Sequence, residues 1–222
     1  MSIASYIHDI EAQLPAGVRL VAVSKFHPLE ALREAYDAGQ RVFGESRAQE
    51  LAVKVPAMPS DVEWHFIGHL QTNKVRQVVR LATVIESVDS LKLLQLIDAE
   101  AARAGRTVDV LLQLHVAQEE AKWGFAPDEL LAIASRGDLD GLDNVRLRGV
   151  MAMATFTPDE AQIESEFVTV EQTFNALRAG AMAGNAAFNE LSMGMSDDWR
   201  IAVSHGSTLV RIGTAIFGAR EY

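Results

Sequence analysis

The chain has 222 residues, no cysteine and a formal net charge of -10, with 49% hydrophobic and 23% charged residues. Disulfides, thiolate metal sites and cysteine nucleophiles are thereby excluded, and the acidic balance opposes non-specific binding to nucleic acid or anionic lipid. The first ten residues lack a basic start and a continuous apolar core, and no apolar run is long enough to cross a bilayer, so a soluble cytoplasmic chain is expected.

An opening helix is predicted over residues 3–14, ending before Pro15 and Gly17. Short β-branched runs then alternate with amphipathic stretches, and strands are predicted at 19–25, 41–45, 64–68, 83–87, 108–116, 146–152, 190–194 and 208–212. Eight strands, each followed by a helical stretch, is the pattern of a parallel TIM-type (β/α)8 barrel, here with an extra N-terminal helix. Residues 1–222 are expected to form a single domain, with 55–61 and 137–144 as loops inside it.

The helices carry start and stop signals. Pro28, Pro127 and Pro158 each stand where a first helical residue is expected, because the N–H that proline lacks has no partner there. Thr157 with Glu160 forms a predicted capping box. Behind it, Ile163, Phe167, Val170, Phe174 and Leu177 share one stripe, and Gly39 and Gly105 mark helix ends.

Lys25 closes the apolar run Leu20-Val21-Ala22-Val23-Ser24 and precedes Phe26-His27-Pro28. A buried strand ending on an amine holds that amine at the mouth of the fold, where it is able to condense with an aldehyde. For an arbitrary lysine, a solvated strand end is the better reading. The far end of the chain shifts the balance, because the last two βα units of a barrel are a common phosphate site. Strand seven runs into Ser196 at an expected helix start, and strand eight into Gly213 and Thr214 before a short helix. Gly213 lets phosphate approach the backbone while the two hydroxyls donate. An aldehyde trap plus a phosphate cradle suggests pyridoxal 5'-phosphate (PLP).

Strand alternation puts Arg211 on the same face as Gly213, towards the lumen, with a core ion pair to a carboxylate such as Glu86 as the competing reading. His65 and His69 sit four apart at a strand end, which suits an interior hydrogen-bonded histidine and a rim residue better than a metal site. His27, His115 and His205 are expected as capping or surface residues. Glu45 and Ser46 end the second strand, at the mouth or in a plain turn. Met151, Met153, Met193 and Met195 alternate along strands, as core filling or as packing against a flat ring.

Four segments carry a resemblance over nearly the whole chain: residues 21–25 (VAVSK), 64–71 (WHFIGHLQ), 191–196 (LSMGMS) and 206–218 (GSTLVRIGTAIFG). Together they resemble the PLP homeostasis family, the YggS/PROSC-type PLP-binding proteins. That resemblance implies a barrel similar to the N-terminal barrel of alanine racemase, PLP fold type III. It implies an internal aldimine on Lys25, phosphate held by Ser196, Gly213 and Thr214, and Arg211 facing the pyridine nitrogen. His65, Ser46 and Met193 complete the set of expected cofactor neighbours. Where the family commonly shows Phe-Gly-Glu-Asn-Tyr, this chain has Phe43-Gly44-Glu45-Ser46-Arg47, so the shorter Ser46 replaces an asparagine.

The family is regarded as regulating PLP supply and amino-acid balance, with no established turnover, and PLP-dependent apoenzymes are expected here as partners of a carrier. A racemase needs an electron sink and acid/base groups on both faces of the substrate carbon. An arginine at the ring nitrogen weakens the sink, and Tyr6, Tyr36 and Tyr222 are poorly placed for the second face. A PLP carrier or buffer, monomeric by default, is therefore expected first and a weak amino-acid racemase second. Third comes a barrel enzyme that forms a Schiff base with a phosphosugar, without PLP.

Overall fold

Eight short apolar segments become parallel strands because each face of each strand finds its own covering layer. In the computed structural model, which describes residues 2–118 and 123–218, the strands are β1 (Arg19–Val23), β2 (Val42–Glu45), β3 (Glu63–Phe66), β4 (Val84–Val88), β5 (Val108–Gln113), β6 (Val145–Met151), β7 (Glu190–Ser192) and β8 (Leu209–Ile212). They pair in chain order, and β8 returns to pair with β1, which closes the barrel.

The helices are α1 (Ile3–Glu11), α2 (Leu29–Asp37), α3 (Ala48–Lys54), α4 (Val75–Leu81), α5 (Leu91–Ala104), α6 (Pro127–Ser135), α7 (Glu160–Ala179), α8 (Trp199–Ser204) and α9 (Thr214–Phe217). Their apolar stripes meet the outward strand residues in one large core, which includes Leu32, Ile97, Phe167, Val210 and Ile212. A second, smaller cluster of Val21, Val84, Leu111, Met151 and Leu209 occupies part of the lumen. On β8 the alternation is plain: Leu209 belongs to the inner cluster, while Val210 and Ile212 belong to the outer one. Arg211 therefore points inward, as its spacing from Gly213 predicts.

Several local expectations need correction. β1 stops at Val23, so Lys25 lies in the turn beyond it. α1 ends at Glu11 rather than residue 14. Pro28 is the N-cap of α2, Pro127 is its helix's first residue, and Pro158 precedes the cap of α7. That cap is Asp159, whose side chain accepts from the N–H groups of Ala161 and Gln162. Thr157 Oγ1 instead accepts from Asp159 N at 3.2 Å. A carboxylate nearer the helix outcompetes the hydroxyl for the orphan donors. The α7 stripe from Ile163 to Leu177 is buried as predicted, and Gly105 ends α5 at φ 63°.

The β5–β6 ladder contains a bulge: Val110 pairs with Leu147 but Leu111 pairs with Gly149, leaving Arg148 as the extra residue. Gly149, at φ 155°, is required there, because a Cβ would stand 1.7 Å from the Glu190 carbonyl oxygen. Among the described residues no helix is long and apolar enough to cross a membrane.

Candidate functional site

The turn after β1 is held from below by a buried ion cluster. Lys54 Nζ, on α3, donates to the Ser24 carbonyl at 2.9 Å, to Glu45 Oε1 at 2.7 Å and to Glu50 Oε2 at 2.8 Å. Ser24 Oγ also donates to Glu45 Oε1, at 2.6 Å. Glu50 Oε2 accepts from Phe26 N at 2.8 Å, and the Arg47 guanidinium lies 4.3 Å from the centre of the Phe26 ring. Phe26 needs this support, because it adopts φ 68°, a left-handed conformation that costs a bulky residue energy. Burial pushes the Glu45 carboxyl up, opposed by Lys54. Burial acts on Glu50 in the same direction, yet the hydrogen bonds from Lys54 and Phe26 N leave it below its ordinary value. The half-buried Lys25 thus sits on a turn fixed by groups that lie 20 to 30 residues away in sequence.

The loop after β8 meets this turn, and the loop after β7 lies against β8, where Arg211 N donates to the Gly194 carbonyl at 2.9 Å. The His27 ring stacks on Phe217 of α9 with centroids 5.0 Å apart. A Cβ on Gly213 would lie 3.1 Å from the Val23 carbonyl oxygen, so the last loop closes directly on the end of β1. Thr214 and Ala215 open α9, where first-turn N–H groups have no partner within the helix. Thr214 is exposed and Ser196 half-buried, and neither hydroxyl has a hydrogen-bond partner among the described residues. Ser196 is not at the helix start: α8 begins after Asp198, whose Oδ1 accepts from Met195 N at 2.5 Å. Gly194, at φ 91°, lets this loop press onto α8, where a Cβ would meet Trp199 Cα at 2.8 Å.

Arg211 Nη1 donates to Ser192 Oγ at 2.5 Å and Nη2 to the Ala152 carbonyl at 2.7 Å. Glu86 Oε2 lies 3.8 Å from Nη1, so the lumenal orientation and the ion pair with Glu86 are both present. Burial lowers the guanidinium, with Glu86 and Asp198 acting against it, and an arginine remains a cation throughout.

His65 is fully buried, with Nδ1 2.5 Å from Glu86 Oε1 and Nε2 2.9 Å from Glu63 Oε1. Both ring nitrogens are therefore engaged by protein. His69 instead meets Asp89 at 3.1 Å and stacks on Trp123, a rim position as predicted. The Met193 side chain lies in the outer core, away from the lumen. Met153 and Met195, with Trp123 and Phe156, line a cavity of about 250 Å³ at the carboxyl ends of β5 and β6. Ser46 is half-buried, and its backbone is pinned by Gly68, where a Cβ would come within 2.2 Å of the Ser46 carbonyl. Tyr36 is taken up by Asp61 at 2.8 Å, Tyr6 lies within α1, and Tyr222 lies outside the described residues.

Sequence reasoning missed Lys54 and Glu50, although their spacing on α3 suits an i,i+4 ion pair. It also missed a charged floor. At the amino ends of the strands, opposite Lys25, a cavity of about 290 Å³ is lined by residues including Arg19, Glu63, His65, Asp109, Arg148 and Glu190.

Residues 2–221 match the family described as alanine racemase, N-terminal domain. A pyridoxal phosphate homeostasis protein of Haemophilus influenzae is 39% identical over 208 residues, covering 92% of this chain and 86% of that one. The structure of PipY of Synechococcus elongatus with PLP bound superposes with a TM-score of 0.88 at 38% identity, covering 98% of this chain and 100% of PipY. An alanine racemase of Clostridium difficile shares the fold at 14% identity, with a TM-score of 0.78 over all of this chain but 56% of the racemase.

Proposed function

The chain belongs to the pyridoxal phosphate homeostasis protein family, and from that premise we propose that it binds PLP on Lys25 and buffers or delivers it to PLP-dependent apoenzymes. The observation that carries this reading is the closure of the Gly213 loop on the end of β1. It sets the half-buried Lys25 beside the loop of Thr214, whose hydroxyl has no partner among the described residues and whose helix opens with first-turn N–H groups. This supports a phosphate site there, with Ser196 after the neighbouring strand β7 as a further donor.

These residues fit the cofactor. Gly213 leaves room where a side chain would press on Val23, and Ser196 and Thr214 have hydroxyls free to donate to a phosphate. When bound, PLP would supply an aldehyde, the group with which the Lys25 amine would hold it, water leaving in exchange. The cluster of Lys54, Glu45 and Glu50 orients the turn that presents this amine. Arg211, fixed by Ser192 and Ala152, holds a positive charge for the ring nitrogen to meet and so disfavours protonation there. Ser46 borders the site through its backbone, while His65 and Met193 support it without their side chains facing the ligand.

A cationic partner for the ring nitrogen weakens the electron sink that racemisation requires. With Tyr36 bound to Asp61, no described tyrosine supplies a second acid/base group. This favours a carrier without turnover; a cytoplasmic monomer is part of the same proposal. The test is transfer of PLP from the purified holoprotein to an apoenzyme in the presence of a scavenger of free aldehyde. Transfer that survives the scavenger, with borohydride fixing a pyridoxyl group on Lys25, supports the reading. Racemisation of alanine or serine at metabolic rates, lost in Lys25→Ala, would replace it with the enzyme reading.

A further inference from the structure

An ion chain runs along the barrel axis. Arg211 Nη1 donates to Ser192 Oγ, and Ser192 Oγ donates at 2.6 Å to Glu86 Oε2. Glu86 Oε1 meets His65 Nδ1 at 2.5 Å, His65 Nε2 meets Glu63 Oε1 at 2.9 Å, and Glu63 Oε2 meets Arg19 Nη1 at 3.3 Å. The elements contributing are β8, β7, β4, β3 and β1. Below it, Arg19 and Arg148 share Glu190, each at 3.1 Å, and Arg148 also reaches Asp109 at 3.1 Å.

The chemistry of the chain fixes its charges. An ionised carboxylate only accepts hydrogen bonds, so a ring set between two carboxylates must donate from both nitrogens. Only the imidazolium does so. A proton on either carboxylate instead would be opposed by Arg211 and Ser192 beside Glu86, and by Arg19 beside Glu63. Read from the mouth to the floor, the charges alternate: Arg211 positive, Glu86 negative, His65 positive, Glu63 negative, Arg19 positive. A barrel lumen is more usually filled by bulky branched side chains, and burying charge without a partner is costly. Stability alone is therefore a weak reason for this column.

We propose that His65 and Glu86 are positioning residues for Arg211. The imidazolium keeps Glu86 charged and in place, and Glu86 with Ser192 then holds the guanidinium where the ring nitrogen of PLP meets it. The assignment rests on the function proposed above. It makes a histidine buried on the floor side of the lumen a determinant of cofactor affinity, although its ring touches no cofactor. When the ring loses its proton, the column loses its central cation, Glu86 turns towards Arg211, and the guanidinium shifts from the ring nitrogen.

The experiment is PLP titration of the native protein, His65→Gln and Glu86→Gln, followed by visible absorbance from neutral to alkaline pH, with circular dichroism to confirm folding. Native affinity is expected to hold near neutral pH and to fall along an alkaline limb. His65→Gln should bind about tenfold more weakly at neutral pH, comparable to the loss of one strong hydrogen bond, and should lack that limb. Glu86→Gln should show the same weakening. Folded variants with native affinity and a native pH profile would overturn the assignment. Should neither variant fold, nitrogen-15 NMR of the native His65 ring decides: an imidazolium whose titration moves on adding PLP supports the proposal, and a neutral ring or one indifferent to PLP refutes it. A native protein that takes up no PLP overturns the proposed function itself, an outcome distinct from native binding with unaltered variants.

Discussion

Gly213 lies against Val23 so closely that a β-carbon at 213 would stand 3.1 Å from the Val23 carbonyl oxygen and 3.2 Å from Val23 Cβ. The residue that ends β1 and the residue that opens the last loop are 190 positions apart in sequence (213 − 23) and touch because β1 pairs with β8. Lys25 follows one of them by two positions, and Thr214 follows the other directly. Barrel closure thus brings the turn that carries Lys25 and the loop that carries Thr214 to one rim.

Gly213→Val should force this contact apart. Its φ of -121° lies outside the left-handed region, so the effect is chiefly one of space. PLP affinity is expected to fall about tenfold or more, roughly one lost positioning contact, with a smaller change in melting temperature. Equilibrium dialysis of PLP beside a thermal melt separates the two.

Ser196→Ala and Thr214→Ala should each weaken PLP binding by about 1–3 kcal/mol, the worth of one hydrogen bond to a charged group. Stability should be nearly unchanged, because neither hydroxyl has a partner among the described residues to lose. Full native affinity in both variants would place the phosphate elsewhere.

Lys54→Met would strand Glu45, a fully buried carboxylate whose Oε2 already lacks a partner. Breaking a buried pair from one side costs about 3–5 kcal/mol. The urea midpoint should fall accordingly, and Glu45→Gln in the same chain should restore part of the loss. Borohydride labelling of Lys25 should also slow in Lys54→Met, because the turn beneath the amine loses its tie to the Ser24 carbonyl.

Stability should depend on pH through His65 and Glu63. Although burial lowers His65, hydrogen bonds to Glu63 and Glu86 outweigh it and raise the ring from 6.5 to about 9. A raised folded value means that the folded state keeps a proton the unfolded chain gives up. This contribution is therefore complete below pH 6.5 and lost as pH rises to about 9. The hydrogen bond from His65 is the largest influence on Glu63, lowering it from 4.5 to about 2, so its contribution is present above pH 4.5 and fades towards pH 2. Denaturation midpoints should show a plateau between these limbs, and His65→Gln should flatten the alkaline one.

The fold was legible where local pattern and tertiary demand agree. The α7 stripe, the lumenal face shared by Arg211 and Gly213, and the αL glycine ending α5 follow from periodicity and sterics. Thr157 misled because Asp159, a carboxylate two residues nearer the helix, takes the same orphan donors. Met193 follows the alternation: Ser192 faces the lumen, so Leu191 and Met193 both join the outer core.

What the sequence by itself determined was the order of βα units, the amine after the first strand and the glycine and hydroxyls after the last two. Those features depend on residues near one another along the chain, where propensity and period act. The tertiary structure decided which buried charges meet: Lys54 with Glu45, His65 with Glu86 across two strands, and Arg148 turned into the floor by one unpaired residue. Such partnerships depend on closure and register, and a shift of a single residue between strands reassigns every facing side chain.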